Sequence, residues 1–144
     1  CHMALSVQAR PVPGIWGPYL GAVLPGLWLE EAGQSVSGAL LDHIVALHTA
    51  SASLEGNPHA ALVARIADMR ASGGDAFAQG LHVLPDFHGN RSPLADPHAT
   101  GVISGLTLDA SFDSLCRLYW RTAVSIIPGV SIWSSFCGSA PEAG

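Results

Sequence analysis

Lysine is missing altogether: the six basic residues of this 144-residue chain are all arginine, at positions 10, 65, 70, 91, 117 and 121. They are scattered, and eleven acidic residues bring the formal net charge to −5. Such a surface repels a polyanion and argues against a nucleic-acid partner. Cysteine is scarce as well. Cys1, Cys116 and Cys137 are odd in number, widely spaced and free of any C-x-x-C pair, which argues against a disulfide framework and for a reducing, cytoplasmic compartment. Hydrophobic residues make up 49% and the mean hydropathy is +0.34. Even so, Gly, Pro or polar residues interrupt every apolar stretch before it reaches the roughly twenty residues that span a bilayer. No basic segment followed by an apolar one marks a leader at the first residues. G-x-S-x-G, G-x-x-x-x-G-K-[ST] and G-x-G-x-x-G are absent too, which removes the commonest signatures of nucleophilic and phosphate-cradling sites.

The length suits one domain, or a piece of one, with its own core. Residues 3–7 alternate loosely and read as a short strand. In "ARPVPGIWGPYLGAVLPG" prolines and glycines are so dense that only short extended pieces and turns are expected, and "LWLEEAGQ" then reads as a strand entering a glycine turn. Helical spacing runs through residues 34–48, with Ser35 as candidate N-cap, and again through residues 59–71, with Leu62, Ile66 and Met69 on one face and Gly73-Gly74 at the end. "GLHVLP" and "GVISGLTL" read as strands. "SFDSLCRLYWRTAVSII" reads as a third helix, with Ser111 as N-cap, Leu115, Leu118, Tyr119 and Val124 available for burial, and Pro128 as its stop. The mixture predicts an α/β or α+β architecture.

For a chain with only 12% charged residues, "LPDFHGNRSPLADPHATG" gathers an unusual amount of chemistry. Asp86, His88, Asp96 and His98, with His82 nearby, are ligand types for a divalent metal, but the spacing matches no zinc motif. Proline-rich loops more often turn such Asp and Asn side chains onto their own backbone, so no metal site is assigned. Asp86 and Asp96 could be a carboxylate pair for proton transfer, although sequence does not fix their separation. Arg91 is expected to lock the loop by pairing with a carboxylate, ahead of a role as substrate clamp. His43 and His48 read as part of an exposed or half-buried helix face. Cys116, in an apolar helical run, reads as a buried structural thiol.

The segments "CHMALS", "VPGIWGPYLGAVLPGLWLEEAGQSVSGALLDHIV", "LHVLPDFHGNRSPLADPHATGVISGLTLD" and "LCRLYWRTAV" together resemble the FGGY family of ATP-dependent carbohydrate kinases, most closely its ribulokinase-like branch. The resemblance covers residues 1–124, and the string from Pro85 to Leu108 carries most of it. It implies an α/β chain that forms part of an actin-like, RNase H-like ATPase domain. In that family the sugar lies on one side of a cleft, Mg2+ and ATP lie on the other, and an upstream aspartate takes the hydroxyl proton. Positioning and electrostatics then supply most of the acceleration.

Residues 1–124 resemble the first part of the nucleotide-side domain. No segment matches the catalytic aspartate or the later adenosine turn, so no catalytic residue is assigned and the chain alone is expected to be inactive. By the same resemblance Gly38 and Asp42 stand where the family approaches the nucleotide, although a carboxylate beside phosphates is electrostatically unfavourable. His2 would sit just past a phosphate turn, at the cleft, and His88 and Arg91 would help to shape that cleft. Residues 125–144, "SIIPGVSIWSSFCGSAPEAG", lose the helical period and read as a divergent tail. The competing expectation is a non-catalytic α/β module that pairs with another chain, or with itself, through exposed core surface.

Overall fold

A computed structural model describes residues 2–126, except for the side chains of His2 and Asp75. Of the expected tail, Ser125 and Ile126 are described, as the last residue of a helix and its cap, while residues 127–144, with Pro128 and Cys137, lie outside the described residues, as does Cys1. Within them the chain divides into two compact units, one of residues 2–35 with His88–Ala99, the other of Val36–Phe87 with Thr100–Ile126.

The first unit is built on a three-stranded antiparallel sheet. Strands β1 (His2–Ser6) and β2 (Trp16–Leu20) flank β3 (Trp28–Ala32), in the order β1-β3-β2. β2 is one of the short extended pieces expected within the proline- and glycine-rich stretch. It tolerates Pro18 because it is an edge strand and its register against β3 shifts between Trp16 and Tyr19, where no ladder donor is needed. Strand β3 is the buried one, with Leu29, Glu30 and Ala32 all enclosed. The Leu29 face also carries Leu5 and Tyr19, its register partners, and these stay 41% and 50% exposed.

The second unit is helical. Helix α1 spans Gly38–Leu47 and starts four residues later than its apolar spacing suggests. Its N-cap is Ser37, which makes no side-chain capping bond, while the expected cap, Ser35, donates its hydroxyl to Gly89 O at 3.3 Å. Helix α2 (Pro58–Gly73) begins where its sequence directs. Asn57 Oδ1 accepts from His59 N and Ala60 N, Pro58 occupies the first turn, and Gly74 closes the helix at φ 57°. Short 3-10 turns follow α1 and α2, at Thr49–Ser53 and Gly74–Ala78.

A two-stranded antiparallel ribbon, β4 (His82–Leu84) with β5 (Val102–Ser104), precedes α3 (Phe112–Ser125). Ser111 caps α3 as expected, accepting from Ser114 N at 3.2 Å. The core gathers Leu40 and Ile44 from α1, Leu62 and Ile66 from α2, and Leu115, Cys116 and Leu118 from α3. At about 1.5–3 kcal/mol for each large apolar side chain removed from water, this cluster is the chief stabilising element of the unit. Val124 departs from expectation and remains 42% exposed, on the side of α3 away from Leu115 and Leu118.

Candidate functional site

Two groups of polar side chains stand out, one in each unit. In the helical unit Asp42, on α1, accepts or shares a proton with His59 Nε2 of α2 at 2.8 Å, and His59 Nδ1 meets the Tyr119 hydroxyl of α3 at 2.9 Å. Three helices are thereby joined through one imidazole. The arrangement is sound in either protonation state. A neutral ring donates from Nε2 to the carboxylate and accepts the phenol proton at Nδ1; a protonated ring donates at both nitrogens, and the phenol oxygen accepts. Burial first, and the Asp42 charge second, push the Tyr119 hydroxyl above its ordinary value, so it stays a phenol.

Sequence spacing gave no hint of this link, because His59 and Tyr119 lie 17 and 60 positions from their partners. It also settles what Asp42 does in this structure: its carboxylate is engaged with His59. Gly38 opens α1 without a side-chain cap and with no acidic residue in the first turn, and a Cβ added there would meet nothing within 4 Å. An open, uncapped helix start of that kind fits a phosphate group, whereas Asp42 does not.

In the sheet unit the loop containing His88 and Arg91 folds onto itself. Asn90 N donates to Asp96 O at 2.8 Å, Asn90 Oδ1 accepts from Leu94 N, and Asp96 Oδ1 accepts from His98 N. These bonds are the local backbone uses expected of Asn and Asp in such a loop. Ser92, which sequence did not single out, is buried and donates to Gly14 O at 2.6 Å. Gly14 sits at φ 80°, with its missing Cβ directed at the Pro93 side chain.

Arg91 corrects the expectation of a carboxylate partner. Its guanidinium carbon lies 4.6 Å from the centre of the Trp16 ring, a cation–π contact whose aromatic member sequence reading missed. His88 is exposed and makes no hydrogen bond within the described residues. The His2 side chain lies outside what is described. Among the described residues no group of three or more His, Cys, Asp or Glu side chains could hold a metal ion.

Cys116 is fully buried in α3, and burial pushes its thiol up to about 11, which leaves it unreactive at neutral pH. His43 is exposed with its ring 6.0 Å from that of Phe87, and His48 Nδ1 accepts from Ala50 N at the start of the 3-10 turn. No described helix is long and apolar enough to cross a membrane.

The family model for the C-terminal domain of FGGY carbohydrate kinases matches residues 1–132. The chain belongs to the FGGY family of carbohydrate kinases. FGGY carbohydrate kinase domain-containing proteins of Xenopus laevis and Homo sapiens are 47% and 42% identical to it, each over 90% of this chain and 25% of their own length. A D-ribulokinase of Saccharomyces cerevisiae is 34% identical over 83% of this chain and 18% of its own length. Among solved structures, a xylulose kinase from Rhodospirillum rubrum superposes with a TM-score of 0.68 at 25% identity, covering 97% of this chain and 26% of that one. This FGGY chain therefore has part of the actin-like ATPase fold of those kinases, and it spans about a quarter of the length of the Xenopus and human relatives.

Proposed function

We propose that the chain is the nucleotide-side portion of an ATP-dependent sugar kinase whose whole form moves the γ-phosphoryl group of ATP to a hydroxyl of a pentulose such as D-ribulose. The observation that carries the reading is the family match over residues 1–132, joined to the open, uncapped start of α1 at Gly38. The D-ribulokinase relative favours a pentulose acceptor. A buried, unreactive Cys116 accords with a cytoplasmic setting.

When bound, ATP with Mg2+ supplies the transferable phosphoryl group and the charge that offsets its oxygens. The contribution of this chain is to hold phosphate at the first-turn amides of α1, where Gly38 leaves room. Asp42 acts at one remove: bound to His59, it keeps α1 set against α2, so it is a positioning residue and not a phosphate ligand. His2, His88 and Arg91 are proposed to face the sugar–phosphate cleft of the whole enzyme.

By itself the chain does not turn over, because no residue here is assigned the role of proton acceptor from the sugar. The test is ADP release by the purified chain with ATP, Mg2+ and D-ribulose. None is expected, and ribulose-dependent ADP formation would overturn the assignment. A weaker sugar-independent signal would be ATP hydrolysis and would be separated by omitting ribulose.

A second reading, association with another chain or with itself, draws on the exposed Met3, Leu5 and Tyr19 and on β1 and β2 as the edge strands of the sheet among the described residues. Size-exclusion chromatography with light scattering tests self-association: a monomer across a hundredfold concentration range rules that arm out and counts against the reading.

A further inference from the structure

We propose that His59 is a positioning residue that lets a carboxylate stand at position 42 of a helix whose start receives phosphate, by holding the Asp42 side chain on α2 and offsetting its charge. The proposal rests on the reading of α1 as the phosphate-facing helix. Gly38 and Asp42 are four residues apart, so they share one face of α1 with about 6 Å of rise between them. Side chains on a helix lean back towards its N-terminus, so a free Asp42 carboxylate would overlie the turn that Gly38 opens. Gly38 has no side chain to stand between them, and a Cβ there would meet nothing within 4 Å. An unheld carboxylate in that place would repel a phosphate and compete with it for the positive end of the helix.

The surroundings of His59 prevent this. Its Nε2 lies 2.8 Å from Asp42 Oδ1, and Asp42 makes no other side-chain bond among the described residues. The ring is fixed from behind. Nδ1 meets the Tyr119 hydroxyl at 2.9 Å, the two rings lie with centroids 5.7 Å apart, and the His59 backbone N–H donates to Asn57 Oδ1 in the cap of α2. Tyr119 is only 7% exposed, whereas the Asp42 side chain is 68% exposed, so the relay runs from an anchored core residue to a surface charge. With the phenol donating to Nδ1, a neutral ring carries its proton on Nε2, facing the carboxylate, and a protonated ring adds a full positive charge there. The arginines of the helical unit are engaged elsewhere: Arg65 on Asp113, Arg70 over Trp120, and Arg117 and Arg121 on the carbonyls of Phe77 and Ala78. His43 and His48 of α1 and its cap meet Phe87 and Ala50 N.

Two consequences separate this role from simple bracing of helices. The penalty for losing His59 comes from the charge of Asp42, so removing that charge should abolish it. It is also electrostatic at a half-exposed surface, so salt should shrink it.

The test is a cycle of variants of the isotopically labelled full chain, titrated with Mg2+ and ATP while the Gly38 amide is followed by NMR. His59→Asn keeps an amide at the Nδ1 position beside Tyr119 but cannot reach Asp42. It should weaken ATP about three- to tenfold relative to wild type at roughly 50 mM salt, and about twofold or less at roughly 0.5 M. His59→Gln, which keeps a donor at the Nε2 position, should stay within about twofold of wild type. Asp42→Asn should bind ATP at least as well as wild type, and the double variant of His59→Asn with Asp42→Asn should return to within about twofold of it. A double variant as weak as His59→Asn, a loss that salt does not reduce, or weaker binding by Asp42→Asn would each overturn the proposal. Equal ATP responses at Gly38 in wild type and His59→Asn would overturn it and leave the phosphate reading of α1 standing. A wild-type Gly38 amide that ignores ATP would overturn both.

Discussion

The two units differ over one buried polar residue: Ser92 of the sheet unit is bonded to Gly14, but Glu30 stands apart. In the helical unit Thr122, fully buried, donates its hydroxyl to Leu118 O at 2.8 Å, and the nearly buried Tyr119 hydroxyl meets His59. In the sheet unit Glu30 is 1% exposed and neither carboxylate oxygen has a hydrogen-bond partner among the described residues. An unpaired buried carboxyl costs free energy that apolar neighbours cannot return. Both units leave large apolar side chains exposed, Met3, Leu5 and Tyr19 in one and Leu47, Val63 and Leu106 in the other, but the helical unit also encloses Leu40, Ile44, Leu62 and Leu115 almost completely. The difference teaches that stability is concentrated in α1, α2 and α3, while the sheet tolerates groups that do not favour its own folding.

The largest effect should come from emptying the helical core. Leu115→Ala removes a side chain with 0% exposure and should cost about 2–5 kcal/mol by urea unfolding, against about 0.5 kcal/mol or less for Val7→Ala, at a residue 79% exposed near the sheet. Equal losses at the two positions would break the contrast. Next, Glu30→Leu should raise stability by roughly 1–3 kcal/mol, since it replaces an unpaired buried carboxyl with an apolar side chain. A loss of stability would mean that Glu30 has a role inside the fold that its surroundings do not reveal. Tyr119→Phe, which leaves His59 Nδ1 without its phenol partner, should cost about 1 kcal/mol in the same assay.

The smallest effect concerns the pair of Arg65 and Asp113, joined by two 2.8 Å bonds between α2 and α3. The Arg65 guanidinium holds the Asp113 carboxyl below the ordinary carboxylate range. A depressed folded value means that the carboxylate form favours folding. The gain is complete above the unfolded value, near pH 4, and is lost as pH falls through the folded one. Wild-type stability should therefore fall between about pH 5 and pH 2 more steeply than that of Asp113→Asn, as read from urea midpoints. Parallel curves would remove the pair from the account. Both side chains are partly exposed, so the difference should be small and should shrink in salt.

Sequence revealed the helical unit better than the sheet unit, for reasons visible in particular residues. Helices α2 and α3 carry their own boundaries: Asn57-Pro58 and Gly73-Gly74 around one, Ser111 before the other. Their buried faces follow from periodicity, with Val124 as the residue that escaped it. Helix α1 starts late because Ser35 bonds to Gly89, a partner 54 positions away that no local pattern encodes. Strand β2 was legible only as one of several short extended pieces, because proline and glycine blur its bounds.

The candidate sites were less legible. Gly38 and Asp42 were singled out only through family resemblance, and the structure shows Asp42 occupied by His59. Arg91 was expected on a carboxylate and rests on Trp16. The family itself, by contrast, was readable from one continuous loop, since a long unusual string identifies ancestry even where its residues serve the backbone.

Native-state hydrogen exchange, followed with and without saturating Mg2+ and ATP, tests the account most directly. Without nucleotide, the amides of Leu62, Leu115 and Leu118 should exchange slowest and those of β1 and β2 markedly faster. With nucleotide, added protection should begin at Gly38 and the first turn of α1. Slowest exchange in β1 and β2, or nucleotide protection that leaves the start of α1 unchanged, would contradict it.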